Sequence, residues 1–234
     1  MYTFLRCYDG KYTCNVPART YHQFCPMAVA LDAVGDRWSL LLVRELLTGP
    51  KRYVDLQSAL PGIANNLLTL RLKELESSGI LTKAQLPPPA ARQVYVLTEL
   101  GEQLEPILEA LALWGVRVMG TPRPGDHFSL ESPLIVLRAL LSRDAPDAGA
   151  ADLVLAVGGA LFVVQPGETA WLARVSRGPA LPAVFIPLPV LAQIAAGSLT
   201  WQLAVQSASV TAPDGNPLQP ELSARLLTAM RNRS

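Results

Sequence analysis

The chain has little charge. Of its 234 residues, 17% are charged, against about 25% in an average soluble protein. Half of the residues are hydrophobic, so the composition excludes an intrinsically disordered chain. The formal net charge is +1, and over the whole length it gives no support for a nucleic-acid partner. At about 100 to 200 residues per domain, the length allows one large domain or two small ones.

Histidine and cysteine are also scarce. The two histidines, His22 and His127, are not accompanied by a serine and acid grouping, and no phosphate-binding loop is present. We therefore predict no catalytic residue and no cofactor, and we expect that the protein is not an enzyme. The three cysteines lie in the first 25 residues, which argues against a disulfide framework and favours a cytoplasmic location. Together with His22 they match no usual zinc spacing, so we predict no metal site.

Long uninterrupted hydrophobic runs are missing. The most apolar stretch, residues 180–197, contains three prolines, which argue against a continuous membrane-spanning helix. The first 14 residues are polar and lack the apolar core of a signal peptide. We therefore expect no membrane partner. A start of the native chain at Val16 is left open as an alternative.

The charge that is present is concentrated in one segment. Residues 37–92 carry eight basic and four acidic side chains, a net charge of +4. Residues 125–234 carry seven basic and eight acidic ones. The chain therefore has a basic segment suited to a polyanion, followed by a slightly acidic and apolar half.

The basic segment has the pattern of a helix-turn-helix. Apolar residues at helical spacing predict four helices, over residues 26–34, 38–48, 53–60 and 64–78. Leu68, Leu72 and Leu75 mark the buried face of the fourth helix. A tight turn at Pro61 and Gly62 separates it from the third. Two short helices joined in this way, the second one basic, are typical of a helix-turn-helix.

A hairpin and a long helix are predicted next. Strand-like segments at residues 80–86 and 93–97, joined by a proline-rich connection, predict the wing that follows a recognition helix. Thr98 is expected to cap a helix over residues 99–119, which Pro106 should kink or split. Its apolar residues are spaced alternately by four and three: Leu100, Leu104, Ile107, Leu111, Trp114 and Val118. This seam predicts a homodimer through the helix.

These motifs resemble the HxlR-type winged helix-turn-helix transcriptional regulators. The resemblance rests on separated runs in order: CP at residues 25–26, VGDRW at 34–38, REL at 44–46, LTLRLKEL at 68–75, GI at 79–80 and YVLT at 95–98. It spans about 90 residues and departs at Ala64, where the family often has a small hydroxyl residue. It implies a dimeric regulator, here predicted to be a repressor, with double-stranded DNA as its partner.

The fourth helix carries the predicted DNA contacts. Asparagine pairs with adenine through two hydrogen bonds, whereas arginine and lysine reach guanine or phosphate. We predict that Asn65 and Asn66 contact base edges, with Thr69 on the same face. The predicted phosphate contacts are Arg52, Arg71, Lys73, Lys83 and Arg92. The alternative is that the two asparagines only cap the helix.

Cys25 directly precedes the first predicted helix. The resemblance implies a sensor, because some regulators of the family use a cysteine at this position to detect oxidants or electrophiles. A helix N-terminus also favours a reactive thiolate. The alternative is a small residue packed beside the helix.

Residues 129–234 predict a second domain. Helices are expected at residues 133–141, 188–196, 201–206 and 220–230, and strands within 152–165, 171–175, 183–187 and 209–212. This order resembles a sterol-carrier-type α+β domain, in which an apolar cavity lies between sheet and helices. The resemblance implies a hydrophobic small-molecule effector, with Phe162, Trp171, Phe185 and Trp201 as candidate lining. The alternative is that these aromatic side chains belong to an ordinary core.

The fold class predicted for the whole chain is α+β. We expect a flexible extension at residues 1–24, a winged helix-turn-helix and dimerisation domain at 25–120, a linker at 121–128 and an effector-binding domain at 129–234. The predicted function is a sequence-specific, homodimeric transcriptional regulator, modulated by a hydrophobic molecule or by Cys25. The alternatives are a hydrophobic-ligand carrier without regulatory DNA binding and an enzyme that uses the C-terminal cavity.

Overall fold

The chain divides into two units inside a helix. The computed structural model describes residues 20–87, 92–121, 123–129, 131–141, 144, 146, 150–168, 171–176 and 183–230. The units are Met1–Leu108 and Glu109–Ser234, so the division lies before the predicted linker. The reason is packing, because Ala112, Leu113 and Val116 pack in the core of the second unit.

The first unit consists of short helices followed by a hairpin. The helices are α1 (Pro26–Val34), α2 (Ser39–Leu46), α3 (Tyr53–Ala59) and α4 (Asn65–Ser77). The hairpin strands are β1 (Leu81–Gln85) and β2 (Gln93–Leu97), and α5 (Glu99–Glu102) and α6 (Glu105–Val118) follow them. The predicted helices and wing are confirmed.

The predicted long helix is split, as Pro106 led us to expect. Helix α5 ends at Glu102 and α6 begins at Glu105. Pro106 therefore lies in the first turn of α6, where the missing backbone N–H costs no intrahelical hydrogen bond. The cap at Thr98 is confirmed, since its Oγ1 accepts a hydrogen bond from the Gly101 N–H at 3.2 Å.

The wing is a two-stranded hairpin, and a single β-bridge adds one residue of a third segment to its edge. Strands β1 and β2 are antiparallel, with Leu81 opposite Leu97 and Gln85 opposite Gln93. On the other side of β2, Lys51 and Tyr95 exchange two backbone hydrogen bonds, of 3.1 and 2.8 Å. The proline-rich tip was predicted to be stiff, and its residues 88–91 lie outside the described ones.

The end of the predicted flexible extension is tied to α1. Thr20 Oγ1 and the Tyr21 backbone N–H each donate to the Asp32 carboxylate, at 2.9 Å. These two residues of the predicted extension therefore contact a carboxylate in the last turn of α1, and the flexibility of the extension stays a prediction. Residues 1–19 lie outside the described part of the chain.

The second unit is a mixed sheet with helices. Its elements are α7 (Glu131–Leu140), β3 (Leu153–Val157), β4 (Ala160–Pro166), β5 (Trp171–Val175), β6 (Val184–Ile186), α8 (Leu188–Ala196), α9 (Trp201–Gln206) and α10 (Pro220–Ala229). The strand order is β5-β4-β3-β6, and β3 pairs parallel to β6. The predicted strand at residues 209–212 is reduced to single bridges through Thr211. The α+β class is confirmed, and the sterol-carrier likeness stays a prediction.

A glycine in α5 tests how closely the first unit is packed. A Cβ on Gly101 would overlap the carbonyl oxygen of Ile80, whereas a Cβ on Gly120 would meet no atom within 4 Å. We expect Gly101→Ala to lower the free energy of unfolding by about 1–3 kcal/mol. Gly120→Ala should leave it nearly unchanged. Denaturant unfolding followed by circular dichroism measures both, and equal stability of the two variants would contradict this packing.

Candidate nucleic-acid interface

Helix α4 has one buried and one exposed face. Leu68, Leu72 and Leu75 are at most 2% exposed and lie in the core. The opposite face presents four polar side chains that are exposed to solvent: Asn65, Asn66, Thr69 and Lys73. Ala64 is the N-cap, and its methyl group cannot accept a hydrogen bond from the first backbone N–H groups of the helix. The buried leucine face thus fixes which side of α4 meets a ligand.

The start of α4 is held by α3. The Tyr53 hydroxyl donates to the Asn65 backbone carbonyl at 2.9 Å, and Thr69 Oγ1 donates to the same oxygen at 2.9 Å. Gln57 Nε2 donates to Asn65 Oδ1. The sequence predictions missed Tyr53 and Gln57 as positioning residues, although their spacing of four places them on one face of α3. Asn65 is therefore partly engaged inside the domain.

Asn66 is less engaged than Asn65. Its Oδ1 accepts a hydrogen bond from the Leu67 backbone N–H at 2.9 Å, so part of the capping alternative is realised. Its side-chain amide nitrogen has no partner among the described residues. That nitrogen, together with the exposure of the whole side chain, leaves Asn66 able to present a donor to an external acceptor.

Arg71 is placed differently from the prediction. It is 9% exposed, and its Nη1 donates to Asp36 Oδ2 at 2.6 Å and to the Glu74 carboxylate. A guanidinium held by two carboxylates is neutralised within the domain. We therefore remove Arg71 from the interface. Its position two residues from Thr69 turns it to nearly the opposite side of the helix.

Two further predicted phosphate contacts are ion-paired. Arg52 Nη2 donates to Asp55 Oδ1 at 2.6 Å, and the Arg52 backbone N–H donates to Asp55 Oδ2 at 3.0 Å. Lys83 Nζ lies 2.6 Å from Glu76 Oε2. The hydrogen bond from Arg52 lowers the pKa of Asp55, and the one to Glu76 raises the pKa of Lys83. Both cations are partly exposed, so a phosphate would compete with an existing partner.

Lys73 and Arg92 are the predicted phosphate contacts that remain available. Both side chains are exposed. Neither has an ion-pair partner within the described ranges. Lys73 lies on the exposed face of α4, and Arg92 directly precedes β2 at the base of the wing. They therefore place positive charge on the two elements that a winged helix applies to DNA.

A buried charge cluster connects α2 to the wing. Glu45 is fully buried, with Arg44 Nη2 at 2.6 Å from its Oε1 and Lys51 Nζ at 3.3 Å from its Oε2. Lys51 is also the residue whose backbone pairs with Tyr95 of β2. The carboxylate thus uses two basic residues of the +4 segment internally. Charge counting along the sequence cannot detect this.

Cys25 forms the N-cap of α1 and is half-buried. Its carbonyl oxygen accepts a hydrogen bond from the Val29 N–H at 3.0 Å. The position confirms the predicted helix start at Pro26. Sensing by Cys25 stays a prediction.

The four aromatic residues predicted to line a cavity do not share one surface. Phe162, Trp171 and Trp201 are buried in the core cluster of the second unit. Phe185 is 47% exposed, because the alternation along β6 buries its neighbours Val184 and Ile186 instead. The predicted lining is therefore wrong in placing Phe185 with the other three.

Two other kinds of site are absent from what the structure describes. No group of three or more histidine, cysteine or acidic residues is arranged to hold a metal ion. Cys7 and Cys14 lie outside this part of the chain. Among the described helices, none combines the length and apolar character needed to cross a membrane.

The helices, the wing and the exposed face of α4 define a winged helix-turn-helix. Residues 33–122 match the HxlR-like helix-turn-helix family. An uncharacterized HTH-type transcriptional regulator of Synechocystis is 39% identical over 87 residues, 37% of this chain and 64% of that protein. The HTH-type transcriptional regulator YodB of Bacillus subtilis is 34% identical over 103 residues, 44% of this chain and 89% of that protein. A solved structure of reduced YodB covers 44% of this chain and 100% of its own, with 32% identity and a TM-score of 0.37.

The chain therefore belongs to the HxlR-like helix-turn-helix family. It is a DNA-binding transcriptional regulator, and the alternative of a carrier without DNA binding finds no support. The homologues indicate no enzymatic family. Residues 123–234 lie beyond the family match.

The ion pair at the start of α3 is expected to make stability depend on pH. Because Arg52 lowers the folded-state pKa of Asp55, the ionised carboxylate stabilises the fold above its unfolded pKa of about 3.9. This contribution is lost as the pH falls through the lower folded-state pKa. We therefore expect Asp55→Asn to unfold more easily than wild type at pH 7, with the difference shrinking in acid. Arg52→Gln should behave alike, and a difference that persists unchanged at low pH would contradict the pairing.

Proposed function

We propose that the protein binds operator DNA as a homodimer and represses transcription by occupying the promoter. Each copy places α4 in the major groove and the wing against the adjacent backbone. The observation that carries the proposal is the two-sided α4, whose leucine face is buried while its polar face is exposed. This arrangement gathers hydrogen-bonding groups on one exposed side of a helix, and the major groove is wide enough to admit a helix.

The spacing on α4 fits a division between base and phosphate contacts. Asn66 and Lys73 are seven residues apart, so they share one face and lie about 10 Å apart along the helix axis. The major groove is about 12 Å wide. Asn66 at the start of the helix would then reach a base edge, while Lys73 two turns later reaches a phosphate at the rim. Asn65 and Thr69 stabilise the start of the helix, and we assign them smaller contributions to DNA binding than Asn66 and Lys73.

The wing supplies backbone contacts. Arg92 is exposed beside β2 and is proposed to bind phosphate directly. Arg52 and Lys83 would have to exchange Asp55 and Glu76 for phosphate, so we assign them smaller contributions. Phosphate contacts of this kind position the protein without reading sequence.

The partner copy is proposed to bind through α6. Four apolar side chains of one helix face are largely exposed, with exposed fractions between 45% and 65%: Ile107, Leu111, Trp114 and Val118. Their steps of four, three and four keep them on one side of α6. A continuous apolar face on a helix is a typical association surface. A second copy is the simplest occupant, since a two-fold axis presents two recognition helices to half-sites one turn of DNA apart.

We propose that a chemical signal regulates DNA binding, without choosing between two modes. A hydrophobic molecule in the second unit and chemistry at Cys25 are the two modes that the sequence suggested. The support for Cys25 is its place at the N-cap of α1, in the same unit as α4. Phe162, Trp171 and Trp201 are packed in the core of the second unit, so the hydrophobic mode is proposed on the resemblance alone.

The affinities of variants for operator and random duplexes should distinguish base contacts from phosphate contacts. We expect Lys73→Ala and Arg92→Ala to weaken binding to operator and random duplexes alike, and each to reduce the dependence of affinity on salt. Asn66→Ala should cost about 1–3 kcal/mol on a duplex selected by the wild-type protein and little on a random one. Fluorescence anisotropy at several salt concentrations measures these changes. Gln206→Ala, an exposed change in the second unit, is the control.

Two outcomes would count against these assignments. If Lys73→Ala and Arg92→Ala both bind as wild type does, the docking geometry is wrong. If the affinity of the wild-type protein does not respond to salt, the proposed contact with the DNA backbone is wrong as well.

The oligomeric state tests the role of α6. We expect Ile107→Asp to shift the dimer towards monomer, because a charge on the apolar face must be desolvated on association. Leu203→Asp is the matched control, since Leu203 is exposed to the same extent, 52% against 53%, on α9. Sedimentation velocity over a range of concentrations measures the shift. A dimer that survives Ile107→Asp and dissociates with Leu203→Asp would place the interface elsewhere.

A further inference from the structure

Arg37 lies between two residues that are both fixed against the helix-turn-helix. On one side, Asp36 Oδ2 accepts the hydrogen bond from Arg71 of α4 at 2.6 Å. On the other side, Trp38 is the N-cap of α2 and has a left-handed backbone, with φ of 84°. Its ring lies 3.9 Å from where a Cβ of Gly62 would be, in the turn that leads into α4. The backbone of Arg37 is therefore held beside the recognition helix.

The side chain of Arg37 is an exposed cation that lies against the Trp38 ring. Its Cζ lies 5.2 Å from the centroid of the Trp38 ring, so the guanidinium is held by a cation–π interaction. Among the described residues no carboxylate pairs with it. Arg71, Arg52 and Lys83 of the same basic segment all have such a partner. Arg37 thus keeps its full charge and its edge N–H groups for an external acceptor.

Arg37 adjoins the side of α4 that faces away from α3, because its neighbour Asp36 contacts that side. Tyr53 of α3 contacts Asn65 and Thr69, whereas Asp36 contacts Arg71. Thr69 and Arg71 are separated by about 200° around the helix axis. A recognition helix in the major groove has a phosphate backbone on each side. In the proposed docking, the side of α4 next to α3 would face one of these backbones, and Arg37, beside the opposite side, would face the other.

We propose that Arg37 is a further phosphate-binding residue, positioned by its stacking on Trp38, on the flank of α4 opposite α3. The inference rests on the proposed DNA docking and adds a contact that the sequence predictions did not include. A stacked guanidinium leaves two N–H groups along one edge, which suit two oxygens of one phosphate. The residue would fix the register of α4 without reading bases.

The test compares Arg37→Gln and Arg37→Lys with wild type on two duplexes. One duplex is selected from a random pool by the wild-type protein, and the other is a random sequence of equal length. We expect Arg37→Gln to weaken both by a similar factor and to lower the slope of log affinity against log salt by about 2 for a dimer. Arg37→Lys should recover most of the slope, because it keeps the charge. Arg174→Gln, in the second unit, is the control.

Each outcome decides the inference. A purely structural role of Arg37 would change the melting temperature and leave the salt slope as in wild type, and that result would overturn the proposal. An unchanged affinity and slope in Arg37→Gln, beside a steep slope in wild type, would overturn it while leaving the proposed function intact. If the affinity of the wild-type protein does not depend on salt, both the proposed function and the proposed role of Arg37 are wrong.

Discussion

The fixed orientation of α4 is the constraint on which the rest of the first unit depends. Leu68 and Leu72 hold the helix to the core by burial, and the nearly buried Arg71 holds it to the partly exposed Asp36 by an ion pair. Burying a guanidinium is unfavourable unless its charge is compensated. The pair therefore favours the arrangement of α4 in which Arg71 reaches Asp36, and in that arrangement the polar face of the helix is turned outward.

Internal ion pairs also explain why the basic segment, residues 37–92, has few cations available to a ligand. Glu45 binds two basic residues in the interior, and Asp55 and Glu76 bind one each at the surface. What remains for a polyanion is a small set of cations on α4, the wing and the segment before α2. A few fixed charges give register on DNA, whereas many mobile ones would give mainly non-specific attraction.

Helix α6 has two roles because its faces differ. Leu113 and Val116 pack in the core of the second unit, and Ile107 and Trp114 on another face are exposed. The helix thus contributes one face to the core of the second unit and leaves an apolar face exposed, the face proposed above to bind a second copy.

The sequence by itself determined most of the elements, and with the family motifs it determined the class of protein. Periodic leucines, the turn at residues 61–62 and the cap at Thr98 are local signals, and each gave an element near its observed bounds. Only the tertiary structure decided the partners of the charges, since Asp36 and Arg71 are 35 residues apart and no periodicity connects them. It also decided that Phe185 faces away from the core. Local spacing fixes helices and strands, whereas the contacts that select functional side chains depend on which distant residues the fold brings together.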